Sequence, residues 1–208
     1  MKLLPDNLDF AEALELMPAA PLMPALHNRY NEPWRSYHSQ LHIDELKEHV
    51  SEAEADGVII QDGAAALAFI LWHDAIYDPQ APHGRNEMLS AQLCLAEFTG
   101  IGQPASVARA YQTILATITH TITSPDYTPD APLLLDCDLA ILGASPERFD
   151  EYDAGIRIEY AHVPEDVYQA KRREVLSRFL DRPRLYLTDW AHDKWEKRAR
   201  ENIRSVIG

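Results

Sequence analysis

The chain predicts an all-α fold, and three observations carry that reading. Apolar residues recur at helical spacing in segment after segment, and strand-like alternation is scarce. One run of strong helix formers, Ala64 to Trp72, is apolar on every side. The fourteen prolines fall mainly between these segments, at Pro18, Pro21 and Pro24, in Asp78 to Pro82, in Ser124 to Pro132 and at Ser145-Pro146, where they mark connections.

From Ser39 to Asp56, Leu41, Leu46, Val50 and Ala53 recur among charged residues, so this segment predicts an amphipathic surface helix, ended at Gly57. The run Ala64 to Trp72 has no polar face, and a helix built this way must be buried all round, which makes it the expected central helix. Further amphipathic segments span Asn86 to Phe98, Pro104 to His120, Tyr168 to Leu180 and Asp189 to Ile207, with a shorter piece around Leu133 to Leu142. Ser124 to Pro132 reads as one ordered loop. No repeat and no low-complexity linker divides the 208 residues, so a single domain over 1–208 is expected, with 144–208 as a C-terminal helical extension packed on it.

Hydrophobic residues at 46% and charged residues at 25% lie in the ordinary globular range and argue against disorder or a fibrous architecture. A net charge of −14 disfavours broad electrostatic binding to nucleic acid or to an anionic membrane. Cys94 and Cys137 lack CxxC spacing and predict buried thiols in a reducing compartment. Met1 to Phe10 contains no apolar leader core, and no stretch approaches the roughly 18 apolar residues of a membrane span, so the expected location is cytoplasmic.

Chemistry concentrates in three places. His73-Asp74 stands where the apolar helix ends, and ionisable groups at the edge of a core are costly unless paired or bound to metal. Tyr37-His38-Ser39-Gln40-Leu41-His42 places two imidazoles four residues apart, which on a helix puts both on one face. Leu133 to Leu142 embeds Asp136 and Asp138 in an otherwise apolar run, where a carboxylate needs a metal, a hydrogen-bond network or a proton. Imidazole and carboxylate ligands without thiolates suit Mn, Fe, Ni, Co, Zn or Mg and argue against a structural thiolate zinc site.

The order His, His-Asp, Asp resembles that of the HD-domain metal-dependent phosphohydrolase superfamily, and the chain is similar in particular to a bacterial subfamily of predicted HD phosphohydrolases. The resemblance rests on Arg35-x-Tyr-His-x-x-x-His42, Leu71-Trp-His-Asp-Ala-Ile-Tyr-Asp78, Asn86-Glu87 with Ser90-Ala91, and Thr117-x-x-His120. It continues through Asp136-Cys-Asp-Leu-Ala-Ile-Leu-Gly143, Arg157-x-Glu-Tyr160 and Ala199-Arg-Glu-Asn202, and so covers almost the full chain. It implies an HD-type helical bundle that hydrolyses a phosphate ester, with a nucleotide or related small phosphorylated metabolite as substrate and with water activated by one or two divalent ions.

Residue by residue, the resemblance implies that His42, His73, Asp74 and Asp138 ligate the metal, with Asp136 as the competing carboxylate. His120 is a further candidate ligand. His38 matches the proton-donating histidine of the cyclic-nucleotide phosphodiesterases, and Glu87 matches acidic residues that orient the attacking water. Both have plain alternatives: His120 as a helix C-terminal cap, Glu87 as a first-turn acid favourable to the helix dipole. Arg35, Arg157, Arg172 and Arg173 offer bidentate contacts to phosphate, although surface salt bridges are the commoner fate of such arginines; only Arg35 and Arg157 sit in the motifs and are the expected substrate-binding residues. Trp34, Trp72, Tyr77 and Tyr160 are core aromatics or stacking surfaces. His27, His49, His83, His162 and His192 have no partner at ligand spacing. Two other readings stay open: a di-iron HD-type oxygenase, and a non-catalytic metal-bearing module that senses a ligand.

Overall fold

The computed structural model describes residues 3–5, 8–17, 23–122 and 127–208. It is all-helical, with ten α-helices, one 3₁₀ turn and no strand among the described residues. In chain order these are α1 (Phe10–Leu16), α2 (Met23–Tyr30), α3 (Gln40–Ala55), α4 (Gly63–Trp72), α5 (Arg85–Phe98) and α6 (Pro104–Ala116). After them come α7 (Ala131–Asp138), the 3₁₀ turn Ala140–Gly143, α8 (Pro146–Glu159), α9 (Glu165–Leu180) and α10 (Asp189–Ile207).

α4 is the axis, as its all-apolar sequence requires. All ten of its residues are buried, and α1, α3, α5 and α6 pack around it. Its start is fixed by polar groups. The Asp62 carboxylate caps the helix by accepting from the Ala65 N–H at 2.9 Å, and is itself held by the Ser106 hydroxyl at 3.0 Å and Arg109 at 2.8 Å. Asp130, just before α7, accepts from the N–H groups of Gln61 and Asp62 and so ties α7 to the same end. Gly63 is the point of closest approach: a Cβ there would stand 2.2 Å from the Asp9 carbonyl oxygen.

The segments after residue 144 lie over α7 and the 3₁₀ turn. α10 packs on that turn, where a Cβ on Gly143 would meet the Trp195 Cβ at 2.6 Å, and Asn202 donates to the carbonyls of Leu142 and Ala144. Buried carboxylates organise the approach to α10. Glu196 accepts from the N–H groups of Leu185 and Tyr186, while Asp136 accepts from those of Leu187 and Thr188 and from the Thr188 hydroxyl, at 2.7 Å each.

Several boundaries differ from the sequence expectation. α1, α2 and α8 are additional helices. α1 opens with a reciprocal capping box between Asp9 and Glu12, and α8 with the Ser145 cap followed by Pro146. α6 stops at Ala116 instead of reaching His120, because Thr117 to His120 turn and His120 takes a positive φ of 47°. α3 starts only at Gln40, so His38 precedes the helix. Ala131 and Pro132, expected in the Ser124 to Pro132 loop, begin α7; residues 124–126 of that loop, like Pro18 and Pro21, lie outside the described residues. Cys94 and Cys137 are buried free thiols as expected. No helix among the described residues is long and apolar enough to cross a membrane.

Gly63→Ala forces its methyl into the Asp9–Phe10 backbone. It is expected to cost about 2–3 kcal/mol and to lower the melting temperature by roughly 5–10 °C, measured by calorimetry against a Gly57→Ala control, whose Cβ would enter open space but take the strain of a positive φ.

Candidate metal centre

Three helix ends deliver the central residues. His42 lies in the first turn of α3, His73 caps the C-terminus of α4, and Asp138 is the last residue of α7. Their ligand atoms converge. His42 Nε2 lies 3.1 Å from His73 Nε2 and 3.1 Å from Asp138 Oδ1, and His73 Nε2 lies 3.4 Å from the same oxygen. Asp74 Oδ2 closes the group at 3.2 Å from His73 Nε2 and 3.8 Å from His42 Nε2.

The outer ring nitrogens are held so that the inner ones present lone pairs. His73 Nδ1 donates to the Ile70 carbonyl at 3.1 Å, and His42 Nδ1 faces the Tyr37 hydroxyl at 3.2 Å. An ion with bonds of about 2.1 Å spaces its ligand atoms by about 3.0 Å in octahedral and about 3.4 Å in tetrahedral geometry. The observed 3.1–3.4 Å edges match that range, so His42, His73 and Asp138 form a group that can hold a metal ion. Burial works against charge on His73, yet Asp74 and Asp138 outweigh it and raise its pKa; burial likewise works against ionised Asp138, yet His73 and the hydrogen bonds of His120, His42 and His73 hold its carboxyl well below the usual range.

Asp136 is not part of this group. Its carboxylate, 1% exposed, points to the Leu187–Thr188 backbone on the far side of α7, and burial pushes its pKa up to about 6. Of the two aspartates, Asp138 is the one at the converging site.

His38 does not share a helix face with His42, contrary to expectation, since it stands on the loop before α3. Its ring is nevertheless 6.3 Å from that of His42, stacked on Tyr77 at 4.3 Å. Glu159 from α8 fixes it there. One carboxylate oxygen pairs with His38 Nδ1 at 2.7 Å and accepts from the Tyr77 hydroxyl at 2.7 Å; the other accepts the N–H groups of Ser36, Tyr37 and His38 at 2.7–2.9 Å. Burial opposes ionisation of Glu159, but the His38 and Tyr77 contacts prevail and bring its pKa down to about 2, while raising that of His38. Nε2 of His38 has no protein partner among the described residues, and His38 lines the cleft. Glu159 was absent from the sequence candidates although it lay inside the Arg157-x-Glu-Tyr160 motif. The available signal was its place in the stripe Tyr152, Ile156, Glu159, where a buried acid must have a partner.

Arg35 and Arg157, expected to bind substrate phosphate, are instead internal straps. The Arg35 side chain is fully buried and donates to Glu32 and to the carbonyls of His38, Asp74 and Ala75, joining the two histidine segments. Arg157 donates to Glu165 and to the carbonyls of Tyr160 and Val163, closing the turn from α8 to α9. Neither presents a fork to the cleft. Asn86 and Ser90, from the same motifs, pin the loop after Asp74 through Asp78 and Ile76.

The converging group opens into a cleft of about 200 Å³ that Glu87, His120 and Asp74 also line. His120 Nε2 bonds Asp138 Oδ2 at 2.9 Å, and its turn is held by Arg182 through the carbonyls of Thr119 and His120. His120 is therefore no helix cap, and its positive φ marks a strained backbone kept in place by its surroundings. Glu87 lies in the first turn of α5 at the cleft wall. His27, His162 and His192 make local contacts elsewhere, with Gln40, Tyr160 and Glu196 respectively, while His49 packs on Trp195 and lines a hollow that also borders His42 and Asp138. No family model, no curated protein and no solved structure matches the chain.

Asp138→Asn is expected to abolish stoichiometric binding of Mn or Zn, read by calorimetric titration, with the helical spectrum retained. Asp136→Asn reverses the pattern: binding persists while stability falls by about 1–3 kcal/mol, because the Leu187 and Thr188 donors lose their carboxylate. Glu159 provides a pH test. Its pKa is about 2 in the fold against 4.5 ordinarily, so its contribution, on the order of 3 kcal/mol, is complete above 4.5 and is lost as pH falls toward 2. The stability gap between wild type and Glu159→Gln should therefore narrow over that interval in denaturant titrations; a constant gap would contradict the ionised pairing.

Proposed function

We propose that this chain is a metal-dependent hydrolase of phosphate esters of the HD-domain type, with a small phosphorylated metabolite, such as a nucleotide, as substrate. The observation that carries the reading is the pairing of a ligand-like group, His42, His73 and Asp138 with Asp74 beside it, with a separate histidine, His38, held on a buried carboxylate at the edge of the same cleft. The motif resemblance set out above supports it. A divalent ion held by this donor set would acidify a water molecule and offset the negative charge that builds on phosphoryl oxygens during in-line attack.

The chain's own residues supply the remaining functions. Glu159 anchors His38 at Nδ1 and stabilises its protonated form, leaving Nε2–H to donate to the departing ester oxygen. Glu87, which lines the same cleft, orients the attacking water. His120 bonds Asp138 Oδ2 and holds that carboxylate beside the histidines, while Asp74 stands against His73 as a further ligand. Arg35 keeps the loops of His38 and Asp74 in register, so its contribution is to positioning. Mn, Fe, Ni, Co, Zn and Mg are all compatible with the nitrogen and oxygen donors.

The test is phosphate release across a panel of nucleotides and small phosphate esters, with protein loaded in turn with each of those metals. Asp74→Ala is expected to lose bound metal and release together. His38→Ala should keep its metal while turnover falls about 10²–10⁴-fold. Loss of metal from His38→Ala would make it a ligand and remove the acid assignment, and undiminished release by a metal-free Asp74→Ala protein would remove the metal-hydrolase reading.

A further inference from the structure

A second hollow of about 300 Å³ adjoins the metal cleft between α8 and α9, and the two share His38 and Tyr152 as a common wall. Its lining is mostly apolar: Tyr152, Tyr160, Ile156 and Val175 surround it. Two polar groups break that surface. Arg172 is 8% exposed and Tyr168 6% exposed, and Arg172 Nη2 and the Tyr168 hydroxyl are both buried without a hydrogen-bond partner.

Two buried polar atoms without partners, on residues that line one pocket, are unusual, since burial without a hydrogen bond is costly. Neither is loosely placed. Arg172 is oriented by its Nε bond to Asp153 at 2.8 Å and by the Tyr152 ring beneath its guanidinium at 4.9 Å. Tyr168 is backed by the Arg157 guanidinium at 4.6 Å, so the residue expected to hold phosphate directly supports a group that is free to do so. Burial raises the Tyr168 phenol to about 12, which keeps it a neutral donor. Lys171 is paired with Glu174 and Arg172 with Asp153, so what the pocket leaves unsatisfied among the described residues is the outer Nη2 of a guanidinium and a phenol hydroxyl, a pair that suits an acceptor-rich, anionic partner.

We propose that this hollow is a ligand subsite for a flat apolar ring bearing an anionic oxygen group, the ring against Tyr152, Tyr160 and Val175 and the oxygens on Arg172 Nη2 and the Tyr168 hydroxyl. Binding there needs no metal. Only the further step, that this ring belongs to the leaving portion of the substrate and extends past His38 to the cleft, rests on the proposed hydrolase activity.

The experiment is an NMR titration of metal-stripped protein with phenylphosphonate, which has ring and phosphoryl oxygens but no ester to cleave. Saturable binding is expected at a dissociation constant of about 1 mM, as befits so small a ligand. Tyr168→Phe removes only an unpaired hydroxyl and should weaken binding about tenfold without loss of stability, as should Arg172→Met; exposed Arg173→Met should leave it unchanged. Because Arg172→Met also breaks the Asp153 pair and risks misfolding, Val175→Glu, at a 43% exposed position of the rim, serves as a second charge test and should weaken binding as much. Phenol and inorganic phosphate should each bind more weakly than phenylphosphonate. Absence of saturable binding, equal binding by wild type and Tyr168→Phe, or inorganic phosphate binding as well as phenylphosphonate would overturn the proposal. Phenylphosphonate binding in a protein that releases phosphate from no ester would leave the subsite standing and remove the hydrolase reading alone.

Discussion

His42 Nε2 and His73 Nε2 face each other at 3.1 Å beside the carboxylate of Asp138, so that two imidazoles and a carboxylate bring their ligand atoms to one small space. A divalent cation balances them together. Much of the architecture follows from bringing these atoms to one point: α3 contributes its first turn, α4 its C-terminus and α7 its last residue, so that three helices end or begin at the centre. α4 can carry a histidine to the interior because nine residues of pure core precede its tryptophan, which leaves the helix no alternative orientation.

An acidic chain must do something with its carboxylates, and here several are used as internal acceptors for backbone donors that no helix satisfies. Asp62 and Asp130 fix the start of α4, Asp136 and Glu196 the approach to α10, and Glu159 the loop that carries His38. Each takes two or more hydrogen bonds, which is how burial of a charge is compensated. Glu159 couples this device to the chemistry, because the same carboxylate that orders the Ser36–His38 backbone also sets the orientation of the His38 ring.

The helical class and the buried central helix were legible because a nine-residue run of Ala, Leu, Ile, Phe and Trp has few other solutions. His73, Asp74 and Asp138 were legible for the opposite reason, as ionisable groups in apolar surroundings. What could not be read was direction. Asp136 and Asp138 are equivalent in sequence, yet the end of α7 turns one toward α10 and the other toward the histidines. Spacing put His38 and His42 on one helix, whereas the Ser39 cap lets the helix begin between them. Arg35 and Arg157 look like phosphate ligands in one dimension; two of the three carbonyl partners of Arg35 lie 39 and 40 residues away and those of Arg157 lie across a turn, contacts that only the packed chain defines. α8 escaped because its apolar stripe is thin, interrupted by Gly155 and shared with Glu159.

His42, His73 and Asp138 form a group that can hold one ion. X-ray absorption of protein loaded with one equivalent of Zn or Mn tests it directly. The account predicts two imidazole nitrogens and carboxylate or water oxygens at about 2.0–2.2 Å, with the imidazole scattering reduced to one ring in His42→Ala. A spectrum with no imidazole contribution, or one left unchanged by that substitution, would contradict it.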